Sequence, residues 1–589
     1  MDPSRIFEEF PAPSFRGAQE EALERIRAAF EDGNDVVLVR APTGSGKSLL
    51  ARAVAGCARR GGEADHVQAT GAYYTTPQVS QLDDVAGDEL LSDLSIIRGK
   101  SNYSCILPGE TTTPVNQAPC ARERGFDCPV KHRCPYFSDR AIASNRSIAA
   151  MTLAYFMQTA GSDVFGKRDV VVIDEAHGLA EWAEMYATIE LSPATVPVWD
   201  SCKPPAIDGL TDVADYAERL ASVCSRRQEE LRGTIELSQA EAEERDRLAE
   251  LVRDLGWFVQ DLRDPDSPTT WVVDQHDGAE RPVTVKPLDP ARYLHHTVWD
   301  RGNRFALLSA TILNKEAFCR SAGLDPSTVA LVDVPHTFPV ENRPLYDVTQ
   351  GKMTYEHRDE TLPKVARLVV QLMQKHPDEK GLIHAHSYAI ADRLHELLEE
   401  FGVASRVRGH DKQTRDAALS GWKRDDEPDV FVSVKMEEAL DLKGELCRWQ
   451  LLCKAPYPNT RDSRVAQRLE DGQWAWYYRS ALRTVIQACG RVVRAPDDHG
   501  ATYLADSSLL DLFERARSDT PPWFAEQIDR LSRPELPAFD PDSAVGSSMS
   551  GAGSSAPSSR RRQNGRARSR AKRSGSLDDH PLSDVWGDG

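Results

Sequence analysis

Residues 36–48 read VVLVRAPTGSGKS, and the fold turns on how that stretch is read. Val36, Val37, Leu38 and Val39 have the character of a buried strand and run into a Gly-rich turn that closes on Lys47 and Ser48. LLARAVAGCA then continues as a helix. A strand, a tight turn and a helix N-terminus in that order let backbone N–H groups converge on phosphate oxygens, with the positive end of the helix dipole behind them. Thr43, Gly44, Ser45, Gly46, Lys47 and Ser48 are the predicted cradle, Lys47 reaching the terminal phosphates and Ser48 holding Mg²⁺. Ala41 stands where this pattern usually has Gly.

Upstream, Phe15, Arg16 and Gln19 precede a helix carrying Ala22, Leu23 and Ile26 on one face. A Gln amide donates and accepts at once, as an adenine edge requires, so Arg16 and Gln19 join the predicted nucleotide site. Downstream, YYTTPQVSQLDDV (73–85) predicts a strand meeting a helix near Pro77, with the Thr75 and Thr76 hydroxyls set to contact a nucleic-acid backbone. VVVIDEAH (170–177) predicts a core strand ending in two carboxylates. Asp174 would hold Mg²⁺ through water, Glu175 would orient or deprotonate an attacking water, and His177 would sense the γ-phosphate. FALLSAT (305–311) returns to this core, with Ser309 and Thr311 as small hydroxyls linking the carboxylates to something that moves.

Beyond residue 336 a second set of strands alternates with helical runs, which predicts a second parallel α/β domain. There Asp441, in EALDLKG, is placed to meet a ribose. Gln487, Arg491 and Arg494, at offsets 0, 4 and 7, are expected on one helix face. Two guanidiniums suit the charge of a transferring phosphoryl group. The expectation is that they complete the ATP site when the two domains close.

Two stretches interrupt this pattern. Cys105, Cys120, Cys128 and Cys134 fall within 30 residues without any CxxC pair, which leaves an iron–sulfur cluster, zinc or ordinary buried thiols open. Between about 191 and 298 the motifs thin out. Ser238 with Glu241 predicts a capping box, and Leu248, Leu251, Leu255, Phe258 and Leu262 recur at helical spacing, so a mostly helical insert packed on itself is expected.

The chain has 589 residues, enough for several domains, and a net charge of −19 with about 17 Lys among 72 basic residues. An acidic, Lys-poor composition is the balance expected of a protein kept soluble in concentrated salt, a halophilic trait. At ~1 M salt the Debye length is about 3 Å, so nucleic-acid binding would rely on close contact and stacking. No 18-residue apolar run or signal pattern occurs, and eleven cysteines without a secretory context predict reduced thiols in a cytoplasmic protein. Beyond Pro541 the chain is low in complexity and ends in a disordered basic tail with eight basic residues between Arg560 and Arg573.

The order of these motifs, and the strings RGKSNYSC, RCPYF, VVVIDEAH, KAPYP and QACGRVVR, resemble the XPD-like helicases of superfamily 2, the group that also contains DinG. The resemblance covers about residues 5–515. It implies an α/β fold of two RecA-like P-loop motor domains with an iron–sulfur insert and a mostly helical Arch-like insert. Motor domain 1 would comprise 1–100, 141–190 and 299–335, interrupted by the insert at 101–140 and the Arch-like insert at 191–298. Motor domain 2 would follow at 336–540 and the tail at 541–589. It further implies a 4Fe-4S cluster on Cys105, Cys120, Cys128 and Cys134, with ATP and Mg²⁺ as the other cofactors. The implied activity is ATP-dependent 5′ to 3′ movement on single-stranded DNA and unwinding of forked DNA in repair. The partners implied are DNA and repair proteins that recruit a monomer, with no membrane involved. A DEAH-type RNA helicase and an ATP-switched nucleic-acid binder are the competing readings. Ala439 replaces a Gly usual in the family.

Overall fold

The computed structural model describes all residues except 59–69, 124, 163, 235, 266–270, 277, 279, 435–441, 443 and 546–589. Two compact units emerge: 1–337 together with 463–474, and the remainder of the chain.

In the first unit the strands are β1 (Val36–Arg40), β2 (Ala72–Thr76), β3 (Ser95–Ile96), β4 (Ile148–Thr152), β5 (Arg168–Asp174), β6 (Ile189–Leu191), β7 (Trp271–Gln275), β8 (Val283–Pro287), β9 (Gly302–Ser309) and β10 (Val329–Asp333). Seven of them form a sheet in the order β10-β1-β9-β5-β2-β4-β3, every pair parallel. A sheet covered by helices on both faces buries near-continuous apolar strands, which is why VVLV and VVVI carry no polar alternation. All of Val37, Leu38, Val39, Val171, Val172 and Ile173 are fully buried. The central order β1-β9-β5 sets the phosphate loop, the SAT strand and the DEAH strand side by side. Arg40 pairs with Ser309, and Leu308 with Asp174.

The insert after Ala187 is built on two 24-residue helices, Leu210–Gly233 and Gln239–Leu262, each about 36 Å long. Ser238 caps the second through a full capping box with Glu241. Leu248, Leu251, Leu255 and Phe258 are buried against Val213, Tyr216 and Leu220. The helical reading omitted the antiparallel sheet β6-β8-β7 that closes this core. Its strands mix polar and apolar residues, without the apolar runs that mark the parallel sheets.

The helix Ser463–Glu470, whose sequence lies amid the second domain, belongs to the first unit. Arg464 and Arg468 pair with the buried Glu184, and Ser463 Oγ donates to Asp274 Oδ2 at 2.8 Å.

The second unit holds a six-stranded parallel sheet. Its strands are β11 (Leu345–Gly351), β12 (Gly381–His384), β13 (Val407–Arg408), β14 (Val430–Ser433), β15 (Trp449–Leu452) and β16 (Ala501–Asp506), ordered β11-β16-β15-β12-β14-β13. Both parallel sheets are of the RecA-like kind. Residues 541–545 do not belong to a tail: Pro541–Ala544 is a short helix whose Ala544 is fully buried in the core of this unit, with Gln374 Nε2 donating to Ser543 Oγ at 3.0 Å. The basic stretch of the tail lies outside the described residues.

Candidate active site

The phosphate loop leaves the C-terminal end of β1 and opens the helix Lys47–Gly56. Its geometry rests on two glycines, Gly44 (φ +80°) and Gly46 (φ +78°), in a conformation that L side chains resist. Position 41 makes no such demand. Ala41 is fully buried, its methyl in the core and its N–H donating to Ser309 O at 3.1 Å, so the departure from Gly is accommodated. Ser45 Oγ donates to Pro42 O at 2.7 Å and tightens the turn.

Gln19 begins the helix Gln19–Glu31 and is 4% exposed. Its Oε1 accepts from Arg16 N at 2.9 Å and its Nε2 donates to Ser45 O at 3.1 Å. The side chain therefore ties the upstream segment to the loop before any nucleotide arrives. A Cβ on Gly46 would lie 2.2 Å from Gln19 Nε2.

Around Glu175 a continuous polar network joins three adjacent strand ends. Lys47 Nζ stands 3.4 Å from Glu175 Oε1, and His177 Nδ1 3.2 Å from Glu175 Oε2. His177 Nδ1 and Ser309 Oγ are 2.8 Å apart, Ser309 Oγ donates to Glu175 Oε2 at 3.4 Å, and Thr311 N donates to Ser309 Oγ at 3.1 Å. Glu175 itself has φ +49°, a conformation costing a non-Gly residue about 1–2 kcal/mol, held by its N–H on Asp174 Oδ1 at 2.9 Å. From this position the carboxylate meets both Lys47 and His177.

Burial, and next the charge of Glu175, push the Asp174 carboxyl up to about 7, while Lys47 pulls it down. Ser48 lies beside the wholly buried Tyr74 phenol, whose pKa burial drives far up and the Ser48 hydroxyl eases. Ser48 and Asp174 are hard oxygen donors, which fit Mg²⁺, an ion that keeps waters and substrate phosphates as its remaining ligands. Tyr74 was not among the expected site residues, because a Tyr inside an apolar strand reads as core. Thr75 and Thr76 move the other way: both are buried, donating to Val172 O and Gln78 O at 3.2 Å, so their hydroxyls are spent inside the fold.

In the second unit the helix carrying Gln487 ends at Cys489. Arg491 and Arg494 follow it in a turn and an extended segment, so the three do not share a helix face. Gly490 weakens the helix, and burying Val492 and Val493 with Phe338, Leu382 and Phe431 requires the chain to leave it. Arg494 N donates to Asp498 Oδ2 at 3.2 Å, and the charge of Arg491 reaches His384. Asp441 lies outside the described residues.

The four cysteines sit in a segment of short turns, Cys120 within the helix Pro119–Arg122 and Cys134 capping Pro135–Asn145. Burial raises the Cys120 thiol first, then the charges of Cys128, Cys105 and Cys134. The other three thiols are thus within electrostatic reach of Cys120. Among the described residues no group of three or more His, Cys, Asp and Glu is close enough to hold a single metal ion.

The family model described as Helicase C-terminal domain matches residues 369–527, and DEAD_2 matches 128–196, which spans Cys128, Cys134 and the DEAH strand. By these matches the chain is similar to the XPD-like helicases of superfamily 2. Among relatives, "ATP-dependent DNA helicase chl-1" of Caenorhabditis elegans is 24% identical over 261 residues, 41% of this chain and 29% of that protein. "Regulator of telomere elongation helicase 1" of Homo sapiens is 33% identical over 109 residues, 16% of this chain and 9% of that protein. The chain therefore spans less than a third of the length of these relatives. Two solved structures share the fold. One titled "XPD_Helicase" has a TM-score of 0.55 and 17% identity and covers 86% of this chain and 98% of its own; the other, of S. tokodaii Xpd4, has 0.52 and 16%, covering 85% and 97%.

Proposed function

We propose that this chain is an ATP-dependent DNA helicase that moves 5′ to 3′ along single-stranded DNA and unwinds duplexes, in the service of DNA repair. The observation that carries the reading is the Lys47–Glu175–His177–Ser309 network at the ends of three neighbouring parallel strands. A protein that only binds nucleotide has no need of a strained carboxylate set between the phosphate-loop lysine and a histidine. Gln19, with its amide already oriented, reads the base, and Arg16 and the loop from Thr43 to Ser48 hold the phosphates. Glu175 orients the attacking water and takes its proton, and His177 with Ser309 fixes the carboxylate. Magnesium, held by Ser48 and Asp174, neutralises phosphate charge when bound. Gln487, Arg491 and Arg494 serve the transferring phosphoryl group, and Asp441 the ribose.

Cys105, Cys120, Cys128 and Cys134 are the proposed holders of a 4Fe-4S cluster. Supporting this, the other three thiols lie within reach of Cys120, and cluster thiolates bind separate irons and stand farther apart than the ligands of one ion. Such a cluster gives a loop-rich insert a covalent core. The residues from 191 to 298 are the Arch-like insert, and DNA rather than RNA is favoured by the cysteine insert and by the printed names of the relatives.

The test is strand separation on 5′-tailed DNA, 3′-tailed DNA and RNA duplexes at low and molar salt, with iron and sulfide quantified on the same sample. Unwinding confined to 5′-tailed DNA, with about four irons per chain, is expected. Preference for RNA, or activity in an iron-free protein, would overturn the corresponding part.

A further inference from the structure

Away from the nucleotide network, the second unit keeps an aromatic ring in water among cations. Tyr355, which follows β11, is 68% exposed. The Arg358 guanidinium lies 4.7 Å from its ring centroid and that of Arg461 6.0 Å, within the range of cation–π attraction. The two arginines come from separate segments: Arg358 opens the helix Arg358–Lys375, and Arg461 sits in the turn where its N–H donates to Asn459 Oδ1 at 2.9 Å.

The ring is exposed but its mounting is fixed. Met353, two residues before it, is fully buried and donates its N–H to Asp506 Oδ1 at 3.1 Å. His357 N returns to Thr354 O at 3.1 Å, with His357 Nδ1 and Thr354 Oγ1 2.9 Å apart. Positive charge continues inward. After burial, Arg358 is the next influence holding Lys454 down, and Lys454 acts in the same way on His386. Of the acidic groups nearby, Glu356 and Asp359 are exposed and Asp506 is buried. Asp506 accepts from the N–H groups of Met353, Ala455 and Ser508, and Asp359 lies 3.8 Å from Arg358.

In a chain of net charge −19, an exposed ring in such a setting fits a ligand with a flat face and flanking negative charge. We infer that Tyr355 is a stacking platform for one base of a single-stranded DNA, with Arg358 and Arg461 contacting the adjoining phosphates. Base stacking on an aromatic ring is tolerant of sequence and survives high salt, whereas phosphate contacts weaken with it. This inference rests on the reading of the chain as a protein that acts on single strands.

The experiment compares full-length wild type, Tyr355→Ala, Tyr355→Trp and the double variant Arg358→Ala/Arg461→Ala. The probes are labelled oligo-dT and an abasic strand of equal length, each titrated at several salt concentrations, with thermal midpoints to establish folding. Tyr355→Ala should weaken oligo-dT binding about 5- to 150-fold and leave abasic binding unchanged, and Tyr355→Trp should bind as wild type. The double variant should reduce the salt slope on both probes by about 1.4. Equal oligo-dT affinity in wild type and Tyr355→Ala, or equal losses on both probes, would overturn the stacking role and point to another partner for this surface. A wild type that binds neither probe would instead overturn the reading on which the inference rests.

Discussion

Substituting Gly46 by Ala perturbs the nucleotide site in two separable ways. A side chain at φ +78° costs about 1–2 kcal/mol of backbone strain wherever it occurs. The new Cβ would also lie 2.2 Å from Gln19 Nε2, so the amide must leave Ser45 O, and a buried donor left without a partner costs about 1–3 kcal/mol more. The expected loss is about 2–5 kcal/mol. Gly33→Ala is the matching control, because Gly33 has φ +92° with nothing within 4 Å of its Cβ, and should show the strain alone. Denaturant midpoints for Gly46→Ala, Gln19→Ala and the double variant form a cycle. Since Gln19→Ala removes the clash, the double variant should be more stable than the sum of the singles by about 1–3 kcal/mol. KM for ATP should rise in Gly46→Ala and Gln19→Ala by similar factors. Additive losses, with KM raised in only one of the two, would refute the idea that Gln19 and the loop act as one unit.

Ser309→Ala removes the hydroxyl joining His177 to Glu175 and should lower kcat for ATP hydrolysis about 10- to 150-fold with little change in KM, the size of a hydrogen bond to a charged group; steady-state kinetics decide it. Glu184→Ala leaves Arg464 and Arg468 of the helix Ser463–Glu470 without their buried carboxylate and should cost about 3–5 kcal/mol in unfolding of the first unit; a loss below about 1 kcal/mol would mean the pair is dispensable. Burial holds His384 down to about 4, below its usual 6.5, so the unfolded chain takes up the proton first. That contribution to stability is intact above pH 6.5 and declines toward pH 4 by about 3 kcal/mol. His384→Asn should flatten the fall by that amount, and an unchanged profile would refute the assignment.

The phosphate-loop and carboxylate elements were legible because their chemistry is local: a strand, two glycines and a lysine in one run of residues, and a carboxylate pair at the tip of another. The contacts joining these runs were not. That Ser309 meets His177 depends on β9 lying between β1 and β5, an order no linear pattern contains. Arg491 and Arg494 were placed on a helix because offsets of 4 and 7 are helical, but the helix ends at Cys489 and Val492 and Val493 are buried in the core beyond it. Thr75 and Thr76 looked available because hydroxyls at a strand end usually are, and burial on both faces of the sheet reversed that. The strands β6, β7 and β8 carry no unbroken apolar run of the kind that marks the parallel sheets, and Tyr355 lay in a segment with no motif. Four thiols within 30 residues announce an insert, but their convergence depends on turns that composition does not encode.

The central claim is that the network around Lys47 and Glu175 is a motor driven by ATP and activated by single-stranded DNA. Its most direct test is multi-turnover ATP hydrolysis by wild type and Lys47→Ala, with and without oligo-dT, alongside binding of the same oligonucleotide. The account predicts hydrolysis stimulated by DNA in wild type and abolished in Lys47→Ala, which still binds the strand. Hydrolysis at the wild-type rate in Lys47→Ala, or a wild type indifferent to DNA, would contradict it.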